Sequence, residues 1–106
     1  MKSADLFMEL VATYRKYGWE LRSVLLQPAT RAVLQELLEQ LPVKEASVDA
    51  LWFSRPSHNN REAWELRLLS QTQYALFEAF EPNETEEERE DVKLEMEARL
   101  RDYVTK

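Results

Sequence analysis

The sequence has no cysteine, one glycine and no long uncharged segment, and each shortage excludes a class of protein. Without cysteine there is no disulfide framework, thiol nucleophile or cysteine-based zinc site, as is usual in a reducing cytoplasm. A single glycine leaves little backbone that can approach a phosphate closely, and no G-x-S-x-G motif is present. Charged residues interrupt every apolar stretch, so we expect no secretory signal, no membrane span and a cytoplasmic location.

What remains is enough for one folded domain. The 106 residues are 44% hydrophobic and 10% aromatic, including Trp19, Trp52 and Trp64. That apolar area offsets the entropy of folding in one core, whereas two separate cores would each be marginal at this length. We therefore expect residues 1–106 to form a single domain.

The net charge of −6 comes from one short segment. Residues 81 to 91 hold seven acids and one arginine, and the rest of the chain holds 13 acids and 13 bases. Because the basic residues are scattered among acids, we expect no nucleic-acid partner. The acidic segment is typical of the first turns of a helix, where negative side chains interact favourably with the positive end of the helix dipole. It lacks the glycine-containing loop of a calcium site. We expect no metal and no cofactor.

Spacing of the apolar residues predicts three helices and about four strands. Periods of three and four predict helices near residues 3–17, 30–40 and 84–104, while alternation predicts strands near residues 19–27, 49–55, 62–69 and 74–80. Residues 43 to 48 are predicted to be a connector. The sequence therefore predicts the α+β class, with a roughly four-stranded, mostly antiparallel sheet packed with three helices.

Local signals fix several details of this prediction. Gly18 follows the first helix and supplies the left-handed residue that ends it, and Asn83 with Glu86 resembles a capping box for the third. The alternation of the first strand changes phase near Ser23, which indicates either a bulge or burial on both faces. The sequence Ser57-His58-Asn59-Asn60 predicts the turn of a hairpin.

The strand near 62–69 is predicted to place Trp64, Leu66 and Leu68 inside and Glu65 and Arg67 outside. The run Trp-Glu-Leu-Arg occurs both at 19–22 and at 64–67, which indicates either two strands with the same two faces or a chance match between two amphipathic strands. If the two strands paired antiparallel, the glutamate of one would lie beside the arginine of the other.

Five residues are candidates for a ligand or partner surface. Large aromatic side chains on strands are typical of a core, but they also line small-molecule pockets. Glu78 shares a phase with Tyr74 and Leu76, so we expect it to be partly buried. His58 and its polar neighbours could bind an anion, serve an acid–base role or be an incidental part of a turn. The candidates are Trp52, Phe77, Glu78, Arg55 and His58, and none is expected to be catalytic.

Two functional hypotheses follow. The strands near 49–55 and 74–80 are apolar on both faces, so helices or a second molecule must cover them. The first hypothesis is a non-catalytic interaction or assembly module, with a homodimer or another protein bound at an apolar sheet face. The alternative is a small-molecule-binding protein or enzyme with an aromatic cleft near Trp52, Trp64 and Glu78.

Overall fold

The fold is described from a computed structural model, which describes residues 3–106. Along the chain, two helix–strand pairs are followed by three further strands and a final helix. The helices are α1 (Ser3–Lys16), α2 (Pro28–Leu38) and α3 (Glu86–Thr105). The strands are β1 (Glu20–Leu26), β2 (Val43–Glu45), β3 (Ala50–Pro56), β4 (Glu62–Leu68) and β5 (Ala75–Phe80). The predicted α+β class is confirmed, with five strands in place of about four.

All five strands form one sheet in the order β2-β1-β3-β4-β5. The pair β1–β2 is parallel and the other three pairs are antiparallel. The missed strand β2 has only three residues and lies in the predicted connector. Since parallel neighbours need a crossover connection, α2 carries the chain from β1 to β2.

Helices cover the sheet on both faces. On one face α1 and α2 pack over β1 and β3, with Leu26, Leu34 and Phe53 fully buried between them. On the other face α3 packs over β3 and β4, where Leu66 and Leu100 are fully buried. Helices therefore bury both faces of β3, which explains why its sequence is apolar on both sides.

The phase change in β1 has both of the expected causes. The pairing of β1 with β3 shifts by one residue between Leu21 and Ser23, which is a β-bulge. Beyond the bulge, Val24 and Leu26 face α2 while Leu25 faces α3, and all three are buried.

The polar face of β4 is not the solvent face that was predicted. Glu65 and Arg67 lie on the α1 side, where Glu65 accepts a hydrogen bond from the Tyr14 hydroxyl. Arg67 is buried and donates to the backbone oxygens of Leu68 and Thr72 at 2.7 and 3.0 Å. The two Trp-Glu-Leu-Arg strands are not neighbours, because β3 lies between β1 and β4.

Helix ends differ in detail from the sequence prediction. Gly18 has φ +87 after α1, as predicted. At α3 the capping box is Thr85 with Glu88, two residues after the predicted Asn83 with Glu86. Asp49 accepts hydrogen bonds from Gln27 N and Thr30 Oγ1 and so fixes the start of α2 from a distant part of the chain. Among residues 3–106, no helix has the length and apolar character needed to cross a membrane.

Candidate functional site

The five candidate residues do not lie in one place. Trp52 is buried on the α3 side of β3, whereas Arg55 and Phe77 lie on the other side. Glu78 is exposed on β5, and His58 is exposed in the turn between β3 and β4. The structure therefore does not join all five into one site.

An aromatic cleft does lie beside Trp52 and Trp64. Their rings meet edge to face with centroids 6.0 Å apart, and the adjoining cleft between β1, β2 and α3 has a volume of about 330 Å³. Glu78 does not line it. The expectation that Glu78 is partly buried is wrong, because β5 is the last strand of the sheet and α3 leaves this side chain exposed.

The Glu97 carboxylate binds two other polar groups of the aromatic cleft. Glu97 is only 5% exposed, and its Oε2 accepts a hydrogen bond of 3.0 Å from Trp52 Nε1. Its Oε1 accepts one of 2.8 Å from Lys44 Nζ. Lys93 Nζ lies 3.5 Å from the centroid of the Trp64 ring, a cation–π contact. Both Glu97 oxygens accept hydrogen bonds, so this side chain links α3 to β2 and β3.

Sequence reasoning missed Glu97 and Lys44. A buried tryptophan usually needs an acceptor for its indole N–H, so Trp52 on an apolar strand was a signal that a polar group lies opposite. Glu97 follows Lys93 by four residues and precedes Leu100 by three, which puts all three near one face of α3. Nothing local identifies Lys44, because its position depends on the short strand β2.

Arg55 and Phe77 both contact the Trp19 ring, on the face of the sheet that α1 covers. The Trp19 and Phe77 rings pack edge to face with centroids 6.4 Å apart, and the Arg55 guanidinium lies 5.0 Å from the Trp19 ring centroid. Arg55 Nη1 also donates a 2.6 Å hydrogen bond to the carbonyl oxygen of Tyr17. Phe77 remains 59% exposed, because α1 covers β1 and β3 but not β5.

The backbone of β5 is unpaired on its outer side within residues 3–106. Leu68 N donates to Tyr74 O at 3.0 Å, so even-numbered residues direct their backbone groups toward β4. By alternation, Ala75, Phe77 and Ala79 direct their N–H and C=O groups outward. We call this backbone, together with Trp19, Phe77 and Glu78, the edge surface.

His58 belongs to neither of these places. It lies in one 3₁₀ turn, His58–Asn60, whose Asn59 and Asn60 have φ 58 and 63. Asparagine tolerates this backbone conformation, so the turn closes the predicted hairpin between β3 and β4. His58 is exposed, as is expected of a residue of a surface turn.

Within the described part of the chain, no three histidine, aspartate or glutamate side chains lie close enough together to hold a metal ion. The aromatic cleft already uses Glu97 and Lys44 in contacts within the chain, whereas the outer backbone groups of β5 in the edge surface have no partner in residues 3–106. Protein-family models, curated proteins and solved structures give no match to this chain, so the edge surface is interpreted from its own residues.

Proposed function

We propose that the protein is an interaction module whose edge surface pairs with an extended segment of a partner protein, in which apolar residues alternate with lysine or arginine. The observation that carries this proposal is the free outer edge of β5 beside the exposed ring of Phe77. Helices cover both faces of β3, so the edge takes the place of the apolar sheet face in the original hypothesis.

Strand addition uses the backbone groups that β5 leaves free. Three residues with outward N–H and C=O groups offer up to six hydrogen bonds to a strand laid alongside. Exposed strand edges bind extended peptides in this way, with affinity from the backbone and specificity from alternate side chains. The edge of β2, at the other end of the sheet, has only three residues and offers fewer.

The side chains of the edge surface differ between the two faces. On one face Phe77 and Trp19 provide an aromatic contact for an apolar residue of the partner. On the other face Glu78 is exposed, and the seven acids of residues 81–91 follow directly after β5. A segment that alternates apolar and basic residues matches both faces at once.

A second copy of this chain fits the edge surface less well. Each copy carries a net charge of −6, and Glu78 places a negative charge in the middle of the edge. Charged residues on edge strands are a common means of preventing self-pairing. A contact through one strand is also small compared with the roughly 1,600 Å² buried in standard stable interfaces.

The test uses a synthetic eight-residue peptide of alternating valine and lysine, with a valine–glutamate peptide as the control. Binding is measured by fluorescence anisotropy of a labelled peptide. We expect only the lysine peptide to bind, and we expect Phe77→Ser to weaken it by about tenfold, equivalent to about 1.4 kcal/mol. Val33→Ser on α2 is the matched control, because Val33 is 62% exposed and lies on α2, away from β5.

Ala79→Pro separates strand addition from a general apolar contact. Proline removes the outward N–H at this position and leaves the ladder to β4 in place, so it should abolish peptide binding without unfolding the chain. Retained binding by Ala79→Pro, or equal binding of the glutamate peptide, would contradict the proposal. A dimer in sedimentation that Ala79→Pro dissociates would assign the edge to a second copy instead.

A further inference from the structure

A second cleft, with a volume of about 550 Å³, lies at one end of the sheet. It is formed where β1 begins, where β3 ends and β4 begins, and where α3 approaches the sheet. Four arginines line it, and we call it the arginine cleft. They are Arg22, Arg55, Arg61 and Arg89.

The charge of the arginine cleft is opposite to that of the protein. Its lining contains four arginines and two glutamates, Glu20 and Glu62. With Glu81, which pairs with Arg61, the balance is +1, whereas the chain as a whole carries −6. Apart from two prolines, the remaining lining residues are polar or glycine. A concave surface of one charge sign concentrates counter-ions of the other sign, so the cleft favours a small anion over an apolar ligand.

The arginines keep donors that no described residue occupies. Arg22 meets Glu20 at 3.5 Å, Arg61 meets Glu81 at 2.8 Å and Arg89 meets Glu62 at 3.4 Å. Each contact uses only part of a guanidinium, which has five N–H donors. Arg89 Nε is buried without a hydrogen-bond partner.

Arg55 adds a guanidinium without a carboxylate within salt-bridge distance in residues 3–106. Its Nη1 donates to Tyr17 O, and the side chain lines the cleft. Gly18 lies beside it in the lining, and the buried Ser54, which precedes Arg55 in sequence, also lines the cleft. Several guanidinium groups around a polar wall are the usual means by which proteins hold phosphate oxygens.

We propose that the arginine cleft binds a phosphate-type oxyanion carried by a small molecule. Planar guanidinium groups match the oxygens of phosphate in two-point hydrogen bonds. The volume of about 550 Å³ lies within the range of small-molecule sites and exceeds what a bare phosphate occupies. The cleft therefore has room for a phosphomonoester as well as for the phosphate group itself.

The test exploits the single glycine of the chain. Protein labelled with ¹⁵N-glycine gives one amide signal, that of Gly18 in the wall of the cleft. Inorganic phosphate and glycerol phosphate are added in separate titrations at constant ionic strength, with chloride as the control anion. We expect a saturable shift of the Gly18 signal with both phosphates, tighter binding of the ester, and no saturable shift with chloride.

Variants of the arginines decide whether the cleft itself binds the anion. Arg22 and Arg61 do not belong to the edge surface. Each of the substitutions Arg22→Gln and Arg61→Gln should weaken phosphate binding by about tenfold. Arg31→Gln on α2 removes the same charge elsewhere and should leave binding unchanged. The proposal is overturned if neither phosphate gives a saturable shift, or if Arg31→Gln weakens binding as much as Arg22→Gln. Tighter binding of the inorganic ion than of the ester would overturn the small-molecule part.

Discussion

The indole N–H of Trp52 donates a 3.0 Å hydrogen bond to Glu97 Oε2 and thereby joins the central strand to α3 across 45 positions of sequence. Glu97→Ala leaves this buried donor and Lys44 Nζ without their acceptor. We expect a loss of about 2 kcal/mol in the free energy of unfolding, measured by urea denaturation with tryptophan fluorescence. Glu95→Ala, at an exposed position of the same helix, should change it by less than about 0.5 kcal/mol. Equal effects of the two substitutions would show that the buried pair adds no stability.

The raised pKa of Tyr14 leads us to expect a loss of stability at alkaline pH. Burial, and then the Glu65 carboxylate that accepts its hydrogen bond, raise the pKa of the Tyr14 hydroxyl well above its ordinary value of 10.0. Above pH 10 the unfolded chain releases this proton while the folded chain retains it, so the free energy of unfolding falls as the pH rises. Urea midpoints between pH 8 and pH 11 should decline less steeply in Tyr14→Phe than in the parent chain. Tyr17→Phe, at an exposed position, is the control and should keep the parent slope.

Because the capping box of α3 contains the Glu88 carboxylate, we expect this helix end to lose stability at acidic pH. Hydrogen bonds from the backbone and then the side chain of Thr85 hold the pKa of the Glu88 carboxyl below its ordinary value of 4.5. Its contribution is present above pH 4.5 and disappears as the pH falls through the lowered pKa. Helix content, followed by circular dichroism between pH 6 and pH 2, should change less in Glu88→Gln. Glu87→Gln removes a neighbouring carboxylate outside the box, and an identical effect there would refute the assignment.

We expect substitution of Gly18 to strain the backbone and lower the free energy of unfolding. Its φ of +87 is unfavourable for residues with a side chain. A Cβ atom there would nevertheless have room, because the nearest atom, Arg55 Nη1, would be 4.0 Å away. The cost is therefore strain and not a clash. We expect Gly18→Ala to lower the free energy of unfolding by about 1 kcal/mol and Gly18→Asn by less, because asparagine adopts positive φ more readily. The same loss in both variants would point to a cause other than the backbone.

The hairpins β3–β4 and β4–β5 were predictable because the residues that specify them are close together in sequence. Alternation between residues 62 and 80, and asparagines in the turn before it, specify β4, β5 and the turn without reference to the rest of the chain. The solvent face of β4 was not predictable in this way. Glu65 and Arg67 look like surface residues, yet Tyr14 reaches across from α1 and binds one of them. Alternation distinguishes two faces but does not tell which of them a helix will cover.

The errors elsewhere share this dependence on distant residues. In the helix predicted near residues 30–40, the apolar residues Val33 and Leu37 are exposed and only Leu34 and Leu38 are buried, because α2 lies over the part of the sheet near β1. The strand β2 exists because β1 offers it a parallel partner. For the candidate site, the sequence indicated aromatic residues and Arg55, but the order of the strands decides that Phe77 and not Trp52 is accessible.

The central position of β3 has a consequence for local opening of the molecule. This strand has β1 on one side and β4 on the other, and helices lie above and below it. To release the amide hydrogens of Leu51, Trp52 and Phe53 to solvent, both neighbouring strands and both helical layers would have to separate. Deuterium should therefore enter these three positions last, at a rate set by unfolding of the whole molecule, while the outer amides of β5 exchange early.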